Sequence, residues 1–156
     1  MRQSIFVSFM LIFLVSFGLN ASDSGVKMAV DLKATGAKAK QQSVPLMMFF
    51  AAEDCGYCER LEADYLAGMA NSTEYRGKVI IRKVVIDSYD ELLDFNGRNI
   101  EASDFSDKFN IQVTPTVLMV DHKGDRVSKR IIGYNSSGFF GEELDNIIDS
   151  ASEVIK

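Results

Sequence analysis

The stretch FFAAEDCGYC, residues 49–58, holds the only two cysteines of the 156-residue chain, in the C-x-x-C spacing. A continuous apolar run over residues 44–51 leads into Cys55 and predicts a strand that is buried on both faces of a sheet. A helix-compatible segment over residues 56–70 contains Cys58 and leads out. A dithiol between a strand and the start of a helix is the arrangement that a thiol–disulfide redox site requires.

The segments on either side of this stretch alternate between strand and helix patterns. In chain order they predict helix 27–41, strand 79–87, a small hairpin around Asn96 and Gly97, helix 102–109, strands 116–121 and 126–132, and a final amphipathic helix. A parallel strand pair joined through a helix, an antiparallel hairpin and a covering helix predict an α/β fold. We expect a mixed central sheet flanked by helices.

The N-terminus has the pattern of a secretory signal. Arg2 provides a positive start, residues 5–19 are almost continuously apolar, and Ala21 ends a plausible cleavage site. The apolar run is short for a membrane span, which takes about 20 residues. The expected organisation is a signal peptide over residues 1–21, a linker over 22–25 and one domain over 26–156. An uncleaved N-terminal anchor and a buried helix remain alternatives.

Charge and cysteine usage narrow the class of protein. The net charge of −5 argues against a nucleic-acid partner, because such proteins usually carry a basic patch. In an exported protein two cysteines usually form a structural disulfide. Closing so short a loop between Cys55 and Cys58 restrains little of the unfolded chain, so a purely structural bridge would add little stability.

Four segments together resemble the thioredoxin superfamily over residues 26–155. They are the apolar strand before Cys-Gly-Tyr-Cys, the strand that ends KVVID, the Val113-Thr114-Pro115-Thr116 segment, and the hairpin over residues 121–133. The layout is similar to exported thioredoxin-related proteins of the SoxW type, and the redox motif is similar to that of periplasmic disulfide isomerases. The extra dimerisation domain of those isomerases is absent from this sequence, so we expect a monomer.

The resemblance implies a thiol–disulfide oxidoreductase whose only redox group is the Cys55–Cys58 disulfide, without a cofactor or metal. Cys55 is the expected nucleophile, because a helix N-terminus favours the thiolate. Cys58 would attack the mixed disulfide and release the substrate. Gly56 and Tyr57 would tune the helix geometry and the solvation of the sulfurs, although Tyr57 could equally be a plain surface aromatic.

The resemblance also implies that Thr114 and Pro115 form the substrate platform. Pro115 is expected to be cis, so that the Thr114 backbone can pair with an extended substrate by strand addition. A trans proline at the start of a strand is the alternative. Lys83 matches a lysine that thioredoxins place near a buried acid, but a solvated strand residue is at least as plausible, because Phe49 stands at the position of that acid.

The loss of that acid leaves the proton route of the second cysteine open, and Glu53, Asp54, Glu59 or water would have to substitute. Glu53 and Asp54 are also expected to tune the site, since negative charge beside Cys55 disfavours its thiolate. A less stabilised thiolate makes a protein less oxidising, so both acids favour reduction or exchange over strong oxidation.

The expected partners are thiols and disulfides of exported proteins in the periplasm, with a membrane thiol–disulfide transporter as electron donor. Two other functions remain open. One is a redox-inactive interaction module with the same fold, which the intact Cys55 and Cys58 disfavour. The other is a thiolate metal site, which is disfavoured because closed zinc sites take four ligands and the chain offers only the distant His122 in addition.

Overall fold

The central element of the fold is β1 (Leu46–Ala51), whose residues are all buried. The structure is a computed structural model that describes residues 25–136 and 138–156. In it β1 pairs in parallel with β2 (Ile80–Val85) and antiparallel with β5 (Thr116–Val120), and β5 pairs with β6 (Ile131–Ile132). The strand order is β2-β1-β5-β6. The predicted signal peptide and residues 22–24 of the predicted linker lie outside the described residues.

Alternate residues of β1 face two separate cores, as the continuous apolar run predicts. One face carries Met47, Phe49 and Ala51 and packs against the cysteine helix and the last helix. The other face carries Leu46, Met48 and Phe50 and packs against the first helix and the helix after the hairpin. Removing each large side chain from water contributes roughly 1.5–3 kcal/mol, so the burial of β1 on both faces contributes strongly to stability. The predicted mixed sheet flanked by helices is confirmed.

The first helix, α1 (Leu32–Gln42), begins later than the predicted residue 27. Asp31 caps it by accepting the backbone N–H of Ala34 at 2.7 Å. The residues before the cap are extended, because Met28 forms a parallel bridge to Lys83 at the outer edge of β2. The prediction was wrong here because the apolar residues of the edge segment fall in step with the helical pattern that follows.

The cysteine helix consists of three consecutive segments, where the sequence predicted one regular helix. They are α2 (Gly56–Leu61), a π-helical turn (Glu62–Leu66) and α3 (Ala67–Asn71). The π-turn is visible in the bond from the Ala67 N–H to the Glu62 carbonyl, which spans one residue more than an α-helical bond. Such insertions are frequent at functional sites, and this one begins one turn after Cys58.

The predicted hairpin around Asn96 and Gly97 is confirmed as β3 (Glu91–Leu93) and β4 (Asn99–Glu101). Gly97 has a φ of 79°, a conformation that side chains rarely adopt. The helix α4 (Ala102–Lys108) follows directly.

The predicted strand 126–132 is much shorter than expected. Only Ile131 and Ile132 form the strand, because the Ser128 hydroxyl takes the place of a backbone acceptor and receives the Met119 N–H at 2.9 Å. The last helix, α5 (Phe140–Val154), buries Phe140 and Leu144 on the same face of the sheet as the cysteine helix.

The hairpin turn is organised by the Asp94 carboxylate, which is 3% exposed. It accepts the backbone N–H groups of Asn96 at 2.9 Å and Arg98 at 3.0 Å, and the Arg98 guanidinium donates to its other oxygen at 2.9 Å. Burial alone would raise the pKa of Asp94. The hydrogen bonds from Arg98 and Asn96 outweigh that effect and lower the pKa to about 2.

We expect Asp94→Asn to lower the free energy of unfolding by about 1–2 kcal/mol at neutral pH. The folded-state pKa lies below the ordinary value of 3.8, so the carboxylate stabilises the fold above that value and loses its contribution as pH falls through about 2. Urea unfolding at neutral pH and near pH 2 should therefore show a wild-type advantage that nearly disappears in acid. Asp104→Asn, which neutralises an exposed acid on α4, is the control. An advantage that is equal at both pH values would contradict the assignment.

Candidate active site

The two cysteines form a disulfide at the carboxyl end of β1, with Cys55 as the N-cap of α2. The backbone N–H of Cys58 donates to Cys55 Sγ at 3.2 Å, and the N–H groups of Cys58 and Glu59 both reach the Cys55 carbonyl. The two sulfur-bearing residues differ in exposure, because Cys55 is half-buried whereas Cys58 is 2% exposed. A second protein can therefore readily reach Cys55 but not Cys58.

Thr114 and Pro115 lie beside the disulfide, as predicted. The Thr114 hydroxyl is 3.6 Å from Cys55 Sγ, and the Thr114–Pro115 peptide bond is cis. The segment is fixed by the Thr116 hydroxyl, which donates to the Val113 carbonyl at 2.7 Å. Since Thr116 is paired with Phe50 of β1, the sheet itself places Thr114 against the cysteine turn.

The two residues between the cysteines face solvent. A side chain added at Gly56 would meet no atom within 4 Å, and Tyr57 is 62% exposed. Neither residue packs on the core, so a contribution to stability does not explain why glycine and tyrosine occupy these two positions. Their tuning role remains a prediction.

The turn before Cys55 carries exposed carboxylates. Glu53 and Asp54 are both exposed, and the Glu53 backbone N–H donates to the Asp87 carboxylate at 3.0 and 3.3 Å. Asp87 follows β2, whose parallel pairing with β1 brings the ends of both strands to one edge of the sheet. Asp87 was not predicted from the sequence, although its position at the end of the KVVID strand was the available signal.

Lys83 is paired with an acid, and the alternative of a solvated strand residue is wrong. Its Nζ lies 2.7 Å from Glu62 Oε2, and the two side chains are 23% and 16% exposed. The same ammonium lies 5.7 Å from the centre of the Phe49 ring. Glu62 Oε1 accepts the backbone N–H of Val26 at 2.8 Å, so both carboxylate oxygens have a partner. Glu62 was not predicted from the sequence, where its only signal was its position one helical turn after Cys58.

The sequence of this chain matches a known family over most of its length. The sequence profile described as thioredoxin-like domain matches residues 32–148. The chain belongs to the thioredoxin-like domain family. Members of this family are thiol–disulfide oxidoreductases that act on thiols and disulfides, so the Cys55–Cys58 pair of this thioredoxin-like protein lies in an oxidoreductase fold. No curated protein matches the chain significantly.

Solved thioredoxins share the fold at low sequence identity. Poplar thioredoxin h, PtTrxh4, is 21% identical, with a TM-score of 0.53 over 74% of this chain and 86% of that chain. Fasciola hepatica thioredoxin is 18% identical, with a TM-score of 0.54 over 80% of this chain and 97% of that one. Mitochondrial thioredoxin 3 from Saccharomyces cerevisiae is 19% identical, with a TM-score of 0.53 over 80% and 93%. Similarity at this level establishes the fold and leaves the substrate open.

Two further findings concern the described part of this thioredoxin-like chain. Across residues 25–136 and 138–156, the structure contains no group of three or more His, Cys, Asp or Glu side chains that could hold a metal ion. None of the helices in the same ranges is both long enough and apolar enough to cross a membrane.

We expect Asp54→Asn and Asp87→Asn each to make the reduction potential of the dithiol less negative by roughly 10–20 mV, since removing an exposed negative charge near Cys55 favours its thiolate. Equilibration with glutathione buffers measures the potential. Glu153→Gln, which removes an exposed charge near the end of α5, should leave it unchanged.

Two results would contradict the tuning role of these acids. One is a more negative potential in either variant. The other is a wild-type potential near about −120 mV, the value of a dedicated dithiol oxidase.

Proposed function

We propose that this thioredoxin-like protein is a periplasmic thiol–disulfide oxidoreductase that reduces or exchanges disulfides in exported proteins. The observation that best supports this proposal is the unequal exposure of the two cysteines. Cys55 is half-buried and in contact with Thr114, whereas Cys58 is enclosed in the core. A single accessible sulfur next to an enclosed one supports a nucleophile and a resolving thiol.

The chemistry follows in two steps that balance in atoms and electrons. In the reduced protein, the Cys55 thiolate attacks one sulfur of a substrate disulfide, which releases the other sulfur as a thiolate and leaves a mixed disulfide. Cys58 then loses its proton and attacks Cys55 Sγ, which releases the second substrate thiolate. The substrate disulfide has gained two electrons, and the protein dithiol has lost them to form the Cys55–Cys58 bond.

The substrate would lie along the Val113–Thr114 segment. Three large hydrophobic residues around the site are exposed: Tyr57 between the cysteines, Val113 before Thr114, and Ile132, which pairs with Thr116. The Gly133 N–H donates to the Pro115 carbonyl at 2.8 Å, which holds the segment with Ile132 beside the Thr114–Pro115 turn. Such a surface supports binding of an extended, partly apolar chain whose backbone pairs with Thr114 in the manner of strand addition.

The exposed acids support a reductase or exchange protein over a strong oxidase. Glu53, Asp54 and Asp87 place negative charge around the turn that carries Cys55. Negative charge near the Cys55 sulfur disfavours its thiolate. The reduced form of the protein is therefore stabilised less than the reduced form of a dedicated oxidase.

The compartment and partners are proposed from the N-terminal sequence. The secretory pattern over residues 1–21 supports export to the periplasm, where disulfides in protein substrates persist. A membrane thiol–disulfide transporter would return electrons to the Cys55–Cys58 pair, and the protein would act as a monomer.

The test of activity is insulin reduction with dithiothreitol as the electron source. We expect wild type to accelerate precipitation of the insulin B chain and Cys55→Ser to lose at least about 100-fold in rate, because nucleophile and resolving thiol act as a unit. Glu153→Gln should behave like wild type. Equal rates for wild type and Cys55→Ser would favour a redox-inactive interaction module.

The substrate class is tested by trapping in the native compartment with Cys58→Ala. This variant cannot resolve the mixed disulfide, so exported proteins should remain linked to Cys55 and separate on addition of reductant. The double variant with Cys55→Ser is the matched control and should trap nothing. Recovery of no exported protein by Cys58→Ala would contradict the proposed substrate class.

A further inference from the structure

Glu62 is the only acidic side chain of the cysteine helix that the described residues show in an ion pair with a strand. Glu62 is the first residue of the π-turn and lies one turn after Cys58 on a continuous helix. Its backbone N–H donates to the Cys58 carbonyl. Side chains four residues apart on a helix lie on the same face, with Cβ atoms about 5–6 Å apart. Cys58 and Glu62 are therefore neighbours along one side of the helix.

The sheet places the partner of Glu62 on the same side. Lys83 pairs in register with Phe49 of β1, and Phe49 belongs to the core cluster that contains Cys58. The Lys83 ammonium contacts both the Glu62 carboxylate and the Phe49 ring. The charged pair consequently lies between the cysteine helix and the sheet.

The resolving step needs a route for a proton. Cys58 is 2% exposed, so its thiol has little direct access to solvent, whereas Glu62 is partly exposed and connects the interior to the surface. The other acids near the cysteines are all exposed, namely Glu53, Asp54, Glu59 and Asp87.

The groups bonded to Glu62, and the charged residues next to them in the chain, come from the N-terminal edge segment, α2 and the sheet. The N-terminal edge segment contributes the Val26 N–H and the exposed Lys27, and α2 contributes the exposed Glu59. β1 contributes the uncharged Phe49, and β2 contributes Lys83.

We propose that Glu62, held by Lys83 and the Val26 N–H, is the general base that takes the proton from Cys58 when Cys58 attacks the mixed disulfide. The Cys58 S–H bond breaks as the Cys58–Cys55 bond forms, the substrate sulfur leaves with the electron pair of the broken disulfide, and the proton passes to the Glu62 carboxylate and then to solvent. Lys83 keeps the carboxylate in place. The inference rests on the proposed oxidoreductase function.

The experiment follows the reactions of Cys55 and Cys58 as two successive phases of a single kinetic recording. The reduced protein reacts with 5,5′-dithiobis(2-nitrobenzoate), whose first thionitrobenzoate is released by attack of Cys55 and whose second is released when Cys58 resolves the adduct. Glu62→Gln keeps the shape of the side chain and an oxygen for the Val26 N–H but cannot accept a proton. We expect the first release to stay within about twofold, and the second to slow by about tenfold or more near neutral pH.

The pH profile distinguishes a proton role from a structural one. In Glu62→Gln the second release should recover as pH rises, because hydroxide then removes the Cys58 proton, whereas wild type should change less over the same range. Glu62→Asp retains the acid and should recover part of the rate. Because Cys55 reports in the first phase, its normal rate also shows that the variant is folded.

Two matched controls remove an acid from the same helix. Asp64→Asn lies in the same π-turn, where the carboxylate accepts the Tyr134 hydroxyl at 2.6 Å and, mainly through that bond, raises the pKa of Tyr134 to about 12. Glu59→Gln removes the exposed acid next to Cys58, which is the competing proton acceptor that the sequence offers on this helix. Both should leave the second release within about twofold of wild type, since neither is paired to Lys83.

Three outcomes would overturn the inference. They are an unchanged second release in Glu62→Gln, a slowing that is equal at all pH values, and an equal slowing in either control. The assay uses a chemical disulfide, so its result is independent of the proposed biological function. A wild type that fails to reduce insulin but shows the Glu62 effect would refute the proposed function alone, and the reverse pattern would refute only the role of Glu62.

Discussion

The register of β1 against its two neighbours determines what surrounds the disulfide. Parallel pairing sets Ala51 opposite Val85, so the turn to Cys55 and the turn to Asp87 leave the sheet at one edge. Antiparallel pairing sets Phe50 opposite Thr116, which brings the incoming Thr114 segment to that same edge. A shift of one residue would send every side chain of β1 to the opposite core, where the closely packed neighbours would have to rearrange around side chains of different shape.

The same sheet also controls the interior side of the site. Phe49 takes the place at which the resemblance to thioredoxins leads one to expect an acid, and it is completely buried. Lys83 nevertheless remains, and its charge is balanced by Glu62 from the helix above. Breaking a largely buried ion pair by removing one partner is costly, because the other charge is left without compensation. The Lys83–Glu62 ion pair therefore fixes the edge of the cysteine helix, whether or not Glu62 also accepts a proton.

Much of this arrangement could be predicted from the sequence, because it depends on local pattern. The apolar run before Cys55 and the Asn96-Gly97 turn each carry a signal that needs no knowledge of distant residues. The role of the Thr114-Pro115 segment was implied only by the resemblance to thioredoxins. The positions of Glu62 and Asp87 could not be predicted in this way. Each is set by a pairing between residues far apart in the chain, and a carboxylate on a predicted helix or after a strand is usually solvated.

The errors at element boundaries have the same origin. Residues before Asp31 have apolar spacing that suits a helix, but their backbone bonds to Lys83 at the sheet edge make them extended. The short β6 depends on the hydrogen bond that the Ser128 hydroxyl accepts from the Met119 N–H. In each case a tertiary contact outweighs a local preference.

The central claim is that the two sulfurs have different tasks because the fold exposes them differently. The most direct measurement is brief alkylation of the fully reduced protein with a limiting amount of iodoacetamide, followed by peptide mapping of the labelled cysteine. The structure predicts that nearly all of the label lies on Cys55, because Cys58 is enclosed and Cys55 receives the N–H at the start of the helix. Equal labelling of both cysteines, or a preference for Cys58, would contradict the account.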